Sequence, residues 1–179
     1  GLINIVYGAL VAMAQTDFKK LIAYSSISHM GVVVLCMAAL NTQGITGAVM
    51  QMFNHGTITA MLFLIVGVLY DRAHTRGLND FGGLRKVAPV FCGLMGISLF
   101  SSLGLPGLNG FIGEFLIFRG AFPLATWATG LSVIGLLVTA IFILTILQRV
   151  FSGPLNEKWA GLPDLTVTER LMVVPPIAL

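Results

Sequence analysis

The amino-acid sequence predicts an all-α membrane protein, a polytopic helical bundle in which one helix is discontinuous. Hydrophobic residues make up 56% of the 179 residues, whereas Asp, Glu, Lys and Arg together make up only 9%. A soluble domain carries about 25% charged residues. None of these four residue types occurs in three long stretches, 21–70, 87–113 and 120–148. Because roughly 20 apolar residues cross a bilayer, the composition excludes a soluble enzyme and a secreted module.

Apolar stretches and helix-breaking residues divide the chain into six predicted membrane segments. Their predicted bounds are 2–15, 21–40, 44–70, 87–118, 120–148 and a sixth segment that begins at Leu171. The chain starts with Gly1 and ends within an apolar stretch. We therefore expect residues 1–179 to be a piece of a larger polypeptide, with its first and last helices truncated and with no soluble domain.

Basic residues are concentrated in the connections that fall on one side of the predicted bundle. The connections at 17–20, 71–86 and 149–168 hold eight Lys and Arg residues, whereas the opposite side holds only Arg119. The positive-inside rule puts the basic side in the cytoplasm, most simply at a bacterial inner membrane. We expect 71–86 to be an ordinary solvated loop. The net charge of +3 is too small and too dispersed to indicate nucleic-acid binding.

The fourth segment contains a cluster of helix-breaking residues. As one straight helix it would be about 48 Å long, against a hydrocarbon core of about 30 Å. Its centre reads GLPGLNGFIG at 104–113. Proline removes a backbone donor and glycine disfavours helix, so this pattern predicts a true discontinuity, although a simple kink is the alternative. Broken helices recur at the ion sites of transporters.

Three ionisable residues fall within the predicted membrane segments: His29, His55 and Glu114. The two histidines lie about 12 Å and about 16 Å from opposite membrane faces, so we expect them at similar depth. Histidine passes protons near neutral pH, which favours a proton relay supported by the hydroxyl groups of Ser25 and Ser28. Further hydroxyl and amide groups near the two histidines can hold water for the relay: Ser26, Gln51, Asn54, Thr57 and Thr59. Alternatively, each histidine makes one interhelical hydrogen bond. Metal binding is disfavoured because no carboxylate or thiolate lies near them in sequence.

Glu114 follows the predicted helix break by four residues. A carboxyl group at this position can bind and release a proton within the membrane. The alternative is a structural ion pair with Arg119. Five residues separate the two, and side chains at that spacing do not face each other well on a helix.

Four motifs together resemble the antiporter-like proton-translocating subunits of respiratory complex I. They are QTDFKKLIAYSSISHMG at 15–31, NHG at 54–56, RAHTR at 72–76 and LPGLNGFIGEF at 105–115. They occur in the order of that family, and the resemblance covers essentially the whole chain. Glutamate at position 114, where sister subunits carry lysine, favours one branch of the family.

The resemblance implies two inverted five-helix repeats, with this chain forming the C-terminal transmembrane part and most of the second repeat. It implies that His29 and His55 are the relay histidines and that Glu114 leads toward the outer side. It implies a subunit of a proton-translocating NADH:quinone oxidoreductase with no cofactor of its own, because flavin, iron–sulfur clusters and quinone belong to other subunits. Expected partners are sister membrane subunits, lipid, protons and ordered water. The alternatives are a multisubunit Na⁺/H⁺ antiporter and a related membrane-bound hydrogenase.

Overall fold

The computed structural model describes residues 1–178, with side chains through residue 175, and confirms the predicted all-α fold. These residues form helices, short turns and a single isolated β-bridge between Asp17 and Gly77. The seven α-helices of this part are α1 (Leu2–Met13), α2 (Phe18–Met37), α3 (Thr42–Ala73), α4 (Pro89–Ser102), α5 (Asn109–Ala121), α6 (Thr126–Ile146) and α7 (Val167–Ala178). A single π-helical turn, Leu147–Phe151, extends α6.

The break predicted in the fourth segment is present, because α4 and α5 are separate helices joined by residues 103–108. Gly104 and Gly107 have φ angles of +72° and +101°, a left-handed conformation that glycine adopts without steric cost. The alternative of a simple kink is therefore wrong. Three other helices are long and apolar enough to cross a membrane: 18–37, 42–73 and 126–151.

Side-chain caps fix where several helices begin. The Asp17 carboxylate accepts hydrogen bonds from the backbone N–H groups of Lys19 and Lys20 at the start of α2. At α7, Thr166 and Glu169 bond each other's backbone N–H groups, which is a capping box. The sixth predicted segment corresponds to α7, which begins at Val167. The predicted start at Leu171 is therefore wrong. The Thr-x-x-Glu pattern at 166–169 is the signal that the prediction missed.

Apolar side chains form two separate clusters. One lies toward the end of the bundle that carries the basic connections, called here the basic end, and includes Phe18, Ile65, Phe91, Ile143 and Trp159. A smaller one lies toward the opposite end and consists of Ile5, Val32, Val33, Cys36, Ala48 and Ile117. The central helix α3 contributes to both clusters. Buried polar side chains of α2, α3, α4 and α5 lie along the same helices and form the candidate site.

The connection at 71–86 is packed and not the solvated loop that we expected. Helix α3 extends to Ala73, and Phe81 and Leu84 of the connection are buried. Arg72 Nη2 lies 2.5 Å from Glu169 Oε2, and the indole N–H of Trp159 donates to the Asp80 carbonyl oxygen at 2.8 Å. Residues after α6 thus fold back onto this connection, a tertiary contact that charge patterning does not reveal.

Asp164 caps the first turn of α4 from a distant part of the chain. Its carboxylate accepts the backbone N–H groups of Val90 and Phe91 at 2.9 and 3.0 Å. Burial raises the pKa of the Asp164 carboxyl, but hydrogen bonds from the backbone N–H groups of Val90, Leu165 and Phe91 lower it by more, so the pKa lies below its usual range. The ionised form therefore stabilises the fold.

Helices α3 and α5 approach each other closely because both carry glycine at the contact. A Cβ atom at Gly47 would lie 2.9 Å from Leu116 Cβ and 3.0 Å from the Ile117 backbone nitrogen, and one at Gly120 would lie 2.7 Å from the Gly44 nitrogen. One hydrogen bond crosses this contact, since the Asn41 amide at the start of α3 donates to the Gly120 carbonyl oxygen at 2.7 Å. Beside it, the Cys36 thiol ties α2 to α3 by donating to the Gly44 carbonyl oxygen at 3.0 Å.

Replacing Gly47 by Ala should destabilise the protein by about 1–3 kcal/mol, because the added methyl group overpacks the α3–α5 contact. Gly67→Ala is the matched control on the same helix, since a Cβ there meets nothing within 4 Å. The control should be neutral or stabilising by up to about 1 kcal/mol through helix propensity. Thermal unfolding of the full-length protein in detergent measures both, and equal midpoints would contradict the close approach.

Replacing Asp164 by Asn should cost about 1 kcal/mol at neutral pH, because a neutral amide oxygen accepts weaker hydrogen bonds than a carboxylate does. Because the folded-state pKa of Asp164 is depressed, its contribution is complete above the unfolded-state value of about 3.9. It is lost as the pH falls through the lower folded-state value. The difference in unfolding midpoint between wild type and Asp164→Asn should therefore shrink in acid, and a constant difference from pH 7 to pH 3 would count against the cap.

Candidate functional site

A group of buried polar side chains lies where α2 and α3 pack against the broken helix. We call this group the polar belt, and its members are Ser26, His29, Gln51, Asn54, His55, Thr59, Ser102 and Glu114. Of these, His29, Gln51, Asn54, Ser102 and Glu114 are buried, and the other three are partly exposed. All three ionisable residues predicted from the sequence are in the polar belt.

Glu114 and His29 are in direct contact at the centre of the polar belt. Glu114 Oε1 lies 3.3 Å from His29 Nδ1, and the residues are 6% and 4% exposed. The other ring nitrogen of His29, Nε2, lies 3.1 Å from the Ser102 hydroxyl. His29 therefore has a polar partner at each ring nitrogen, an ion-pair contact at Nδ1 and a hydrogen bond at Nε2, one on each half of the broken helix.

His55 lies beside His29, with the two ring centroids 5.4 Å apart and the planes inclined at 40°. His55 Nε2 lies 2.7 Å from the Ser26 hydroxyl and 3.2 Å from the Thr59 hydroxyl. The sequence prediction that the histidines occupy similar depth on consecutive helices agrees with this geometry. Their role in proton transfer stays a prediction.

Beside the break between α4 and α5, side chains of α3 and α4 form hydrogen bonds with Asn109, the first residue of α5. The buried Asn54 amide donates to the Asn109 carbonyl oxygen at 2.7 Å, and the Ser101 hydroxyl bonds the Asn109 side chain. At Gly104, a Cβ atom would lie 2.4 Å from Glu114 Oε2. Glycine at this position thus leaves room for the carboxyl group, and the break itself brings Ser102 and Glu114 to His29 from opposite sides.

Ser25 and Ser28, predicted to support the histidines, are turned elsewhere. The Ser25 hydroxyl donates to the Ile22 carbonyl oxygen and the Ser28 hydroxyl to the Ile5 carbonyl oxygen, at 2.9 and 2.8 Å. The hydroxyl groups that contact the rings are instead those of Ser26 and Thr59 at His55 and Ser102 at His29. Ser26 lies between Ser25 and Ser28 in sequence, and the rotation of about 100° per helical residue turns its hydroxyl group toward His55. Ser102 reaches His29 only through tertiary packing, for which the sequence carries no signal.

The alternative ion pair between Glu114 and Arg119 is wrong. Glu114 pairs with His29, whereas Arg119 is exposed near the end of α5.

The Glu114–His29 contact has two forms without net charge: an ion pair, and a neutral acid beside a neutral imidazole. Moving one proton between Oε1 and Nδ1 interconverts them.

A bundle of membrane helices that brings two histidines and a glutamate together beside a broken helix defines the chain as an antiporter-like membrane subunit. The chain belongs to the family described as NADH:quinone oxidoreductase/Mrp antiporter, transmembrane, which matches residues 1–143. The resemblance inferred from the four sequence motifs is thereby confirmed.

Similar proteins agree with this family. NADH-quinone oxidoreductase subunit M of Rhodobacter capsulatus is 42% identical over 178 residues, 99% of this chain and 35% of that protein. The branch indicated by glutamate at position 114 is that of subunit M, and this relative confirms it. The chain spans about a third of the length of the curated relatives it matches.

Solved structures show the same arrangement of helices. A chain of respiratory complex I from Thermus thermophilus with bound NADH superposes with a TM-score of 0.93 at 34% identity, over 99% of this chain and 37% of that one. A chain of the Mrp complex from Dietzia sp. DQ12-45-1b gives a TM-score of 0.82 at 24% identity, over 87% of this chain and 29% of that one. The latter likeness shows the fold alone.

Proposed function

We propose that the chain belongs to a proton-translocating membrane subunit of an NADH:quinone oxidoreductase, and that protons pass along His55, His29 and Glu114. The observation that carries the proposal is the buried contact between Glu114 Oε1 and His29 Nδ1, with Ser102 on the other nitrogen of the same ring. Ionisable groups within a membrane are costly, and their presence marks proton and ion pathways.

The proposed proton transfer at His29 follows from the polar contacts at its two ring nitrogens. An imidazole accepts a proton at one nitrogen and releases another from the other nitrogen. When protonated His29 gives its Nδ1 proton to Glu114, the N–H bond breaks, an O–H bond forms and both charges disappear. The step therefore leaves no unpaired charge in a region of low dielectric, where such a charge is expensive.

The transfer from His55 to His29 requires a bridging group, because no hydrogen bond joins the two rings among the described residues. We propose that ordered water completes this step. The Ser26 hydroxyl, 2.7 Å from His55 Nε2, can hold such a water molecule by accepting or donating a hydrogen bond. Protons then leave through Glu114 toward the end of the bundle opposite the basic connections.

The energy for this transport comes from electron transfer on other chains. We propose that flavin, iron–sulfur clusters and quinone lie on those subunits, that sister antiporter-like subunits are neighbours, and that the basic connections face the cytoplasm of a bacterial inner membrane. Subunit M relatives favour this assignment over a Na⁺/H⁺ antiporter or a membrane-bound hydrogenase. Flavin and iron–sulfur absorbance of the purified parent complex, with NADH-dependent quinone reduction, distinguishes the three.

Replacing His55 by Ala, or Glu114 by Gln, should lower NADH-driven proton translocation by at least about tenfold, because each variant removes a proton-transfer group. Complex assembly should change much less. His74→Ala is the matched control, since His74 is exposed beyond the end of α3. The measurement is the number of protons taken up into vesicles per NADH oxidised, with the amount of assembled complex determined separately. Normal proton-to-electron ratios in both His55→Ala and Glu114→Gln would rule out the proposed proton relay.

Serine substitutions should separate the hydroxyl groups that touch the rings from those that do not. Ser26→Ala and Ser102→Ala should each slow proton translocation by about fivefold, the effect of losing one hydrogen bond of about 1 kcal/mol. Ser25→Ala and Ser28→Ala lie on the same helix as Ser26 and should have little effect, because their hydroxyl groups bond helix carbonyl oxygens. The reverse pattern in the same vesicle assay would contradict the assignment.

A further inference from the structure

Gln51 on α3 is a buried polar residue of the polar belt to which the relay assigns no role. It is 2% exposed, and its amide nitrogen Nε2 lies 3.5 Å from Glu114 Oε1. That distance is at the limit of a hydrogen bond. Glu114 Oε1 thus faces two side chains, His29 of α2 and Gln51 of α3, whereas Oε2 lies against Gly104.

The amide oxygen of Gln51 has no hydrogen-bond partner. Among the residues that the structure describes, it is the only buried side-chain oxygen or nitrogen atom without one. An unpaired buried polar atom costs free energy, so its presence calls for a physical explanation. The oxygen is accommodated by glycine, since a Cβ atom at Gly113 would lie 2.3 Å from it. Gly113 and Gly104 together leave space for the amide and for the carboxyl group.

We infer that Gln51 is a positioning residue that holds the proton on Glu114, because its amide can bond both forms of the carboxyl group. When Glu114 is ionised, Gln51 Nε2 donates to Oε1. When Glu114 is protonated, a half-turn of the amide about its terminal torsion brings the unpaired oxygen to the same position, where it accepts the O–H. A glutamine carries the donor and the acceptor that these two states require. The inference rests on the proposed function of Glu114.

A purely structural role for Gln51 makes a different prediction. A glutamine retained for packing would be replaceable by methionine, which has a similar shape and fills irregular apolar space. The carboxyl group of Glu114 would then keep its hydrogen bonding. If the amide bonds the neutral acid, its removal leaves the O–H of Glu114 without this acceptor.

The test compares Gln51→Met with Gln15→Met in the whole complex. Gln15 is the matched control, because its amide donates to the Val11 carbonyl oxygen at the end of α1, away from the polar belt. The first readout is the infrared C=O stretching band of protonated Glu114, identified as the band missing in Glu114→Gln. The second readout is NADH-driven proton translocation into vesicles.

We expect Gln51→Met to move the Glu114 band to higher wavenumber and to slow proton translocation by about fivefold, the factor for one lost hydrogen bond of about 1 kcal/mol. Gln15→Met should change neither readout. Should Gln51→Met fail to assemble, Gln51→Asn withdraws the amide by one methylene group and should shift the band in the same direction.

An unchanged Glu114 band in an assembled Gln51 variant overturns the inference, as does an equal loss of translocation in Gln15→Met. The proposed function fails separately, if Glu114→Gln translocates protons normally. In that case a shifted band in Gln51→Met would still support the contact between the amide and the acid.

Discussion

The organisation of the molecule depends on one electrostatic constraint: a carboxyl group within a membrane must have a partner for its charge or its proton. Glu114 finds that partner in His29, and the neighbouring structure makes this contact possible. The glycine at position 104 leaves room for one carboxyl oxygen, and the broken helix supplies Ser102 to the far side of the ring. A continuous helix could not present both side chains to one imidazole.

The apolar packing around the polar belt fixes the register of the helices that carry it. Helices α3 and α5 are brought together by Gly47 and Gly120, and Asn41 ties the same contact with a bond to the Gly120 carbonyl oxygen. This close approach holds Gln51 against Glu114. Because interiors are densely packed, a shift of one helix along the other would change every distance within the site.

The sequence was sufficient for the fold class, the broken helix and the three ionisable residues, because each depends on local composition or on a strong cost of burial. It was insufficient wherever a contact joins distant segments. The packing of 71–86 depends on Trp159 and Glu169. The direction of each serine hydroxyl group depends on helical rotation, which places Ser26 against His55 and turns Ser28 toward α1. The start of α7 is a local feature, because the Thr166–Glu169 capping box encodes it in the sequence.

The two halves of the broken helix are attached to different parts of the molecule. Asp164 fastens the far end of α4, whereas α5 is clamped along α3 by glycine contacts. Residues 103–108 are the covalent joint between them. Ser102 is the last residue of α4 and Glu114 lies on α5, so the two polar contacts of the His29 ring are carried by helices that are anchored independently of each other.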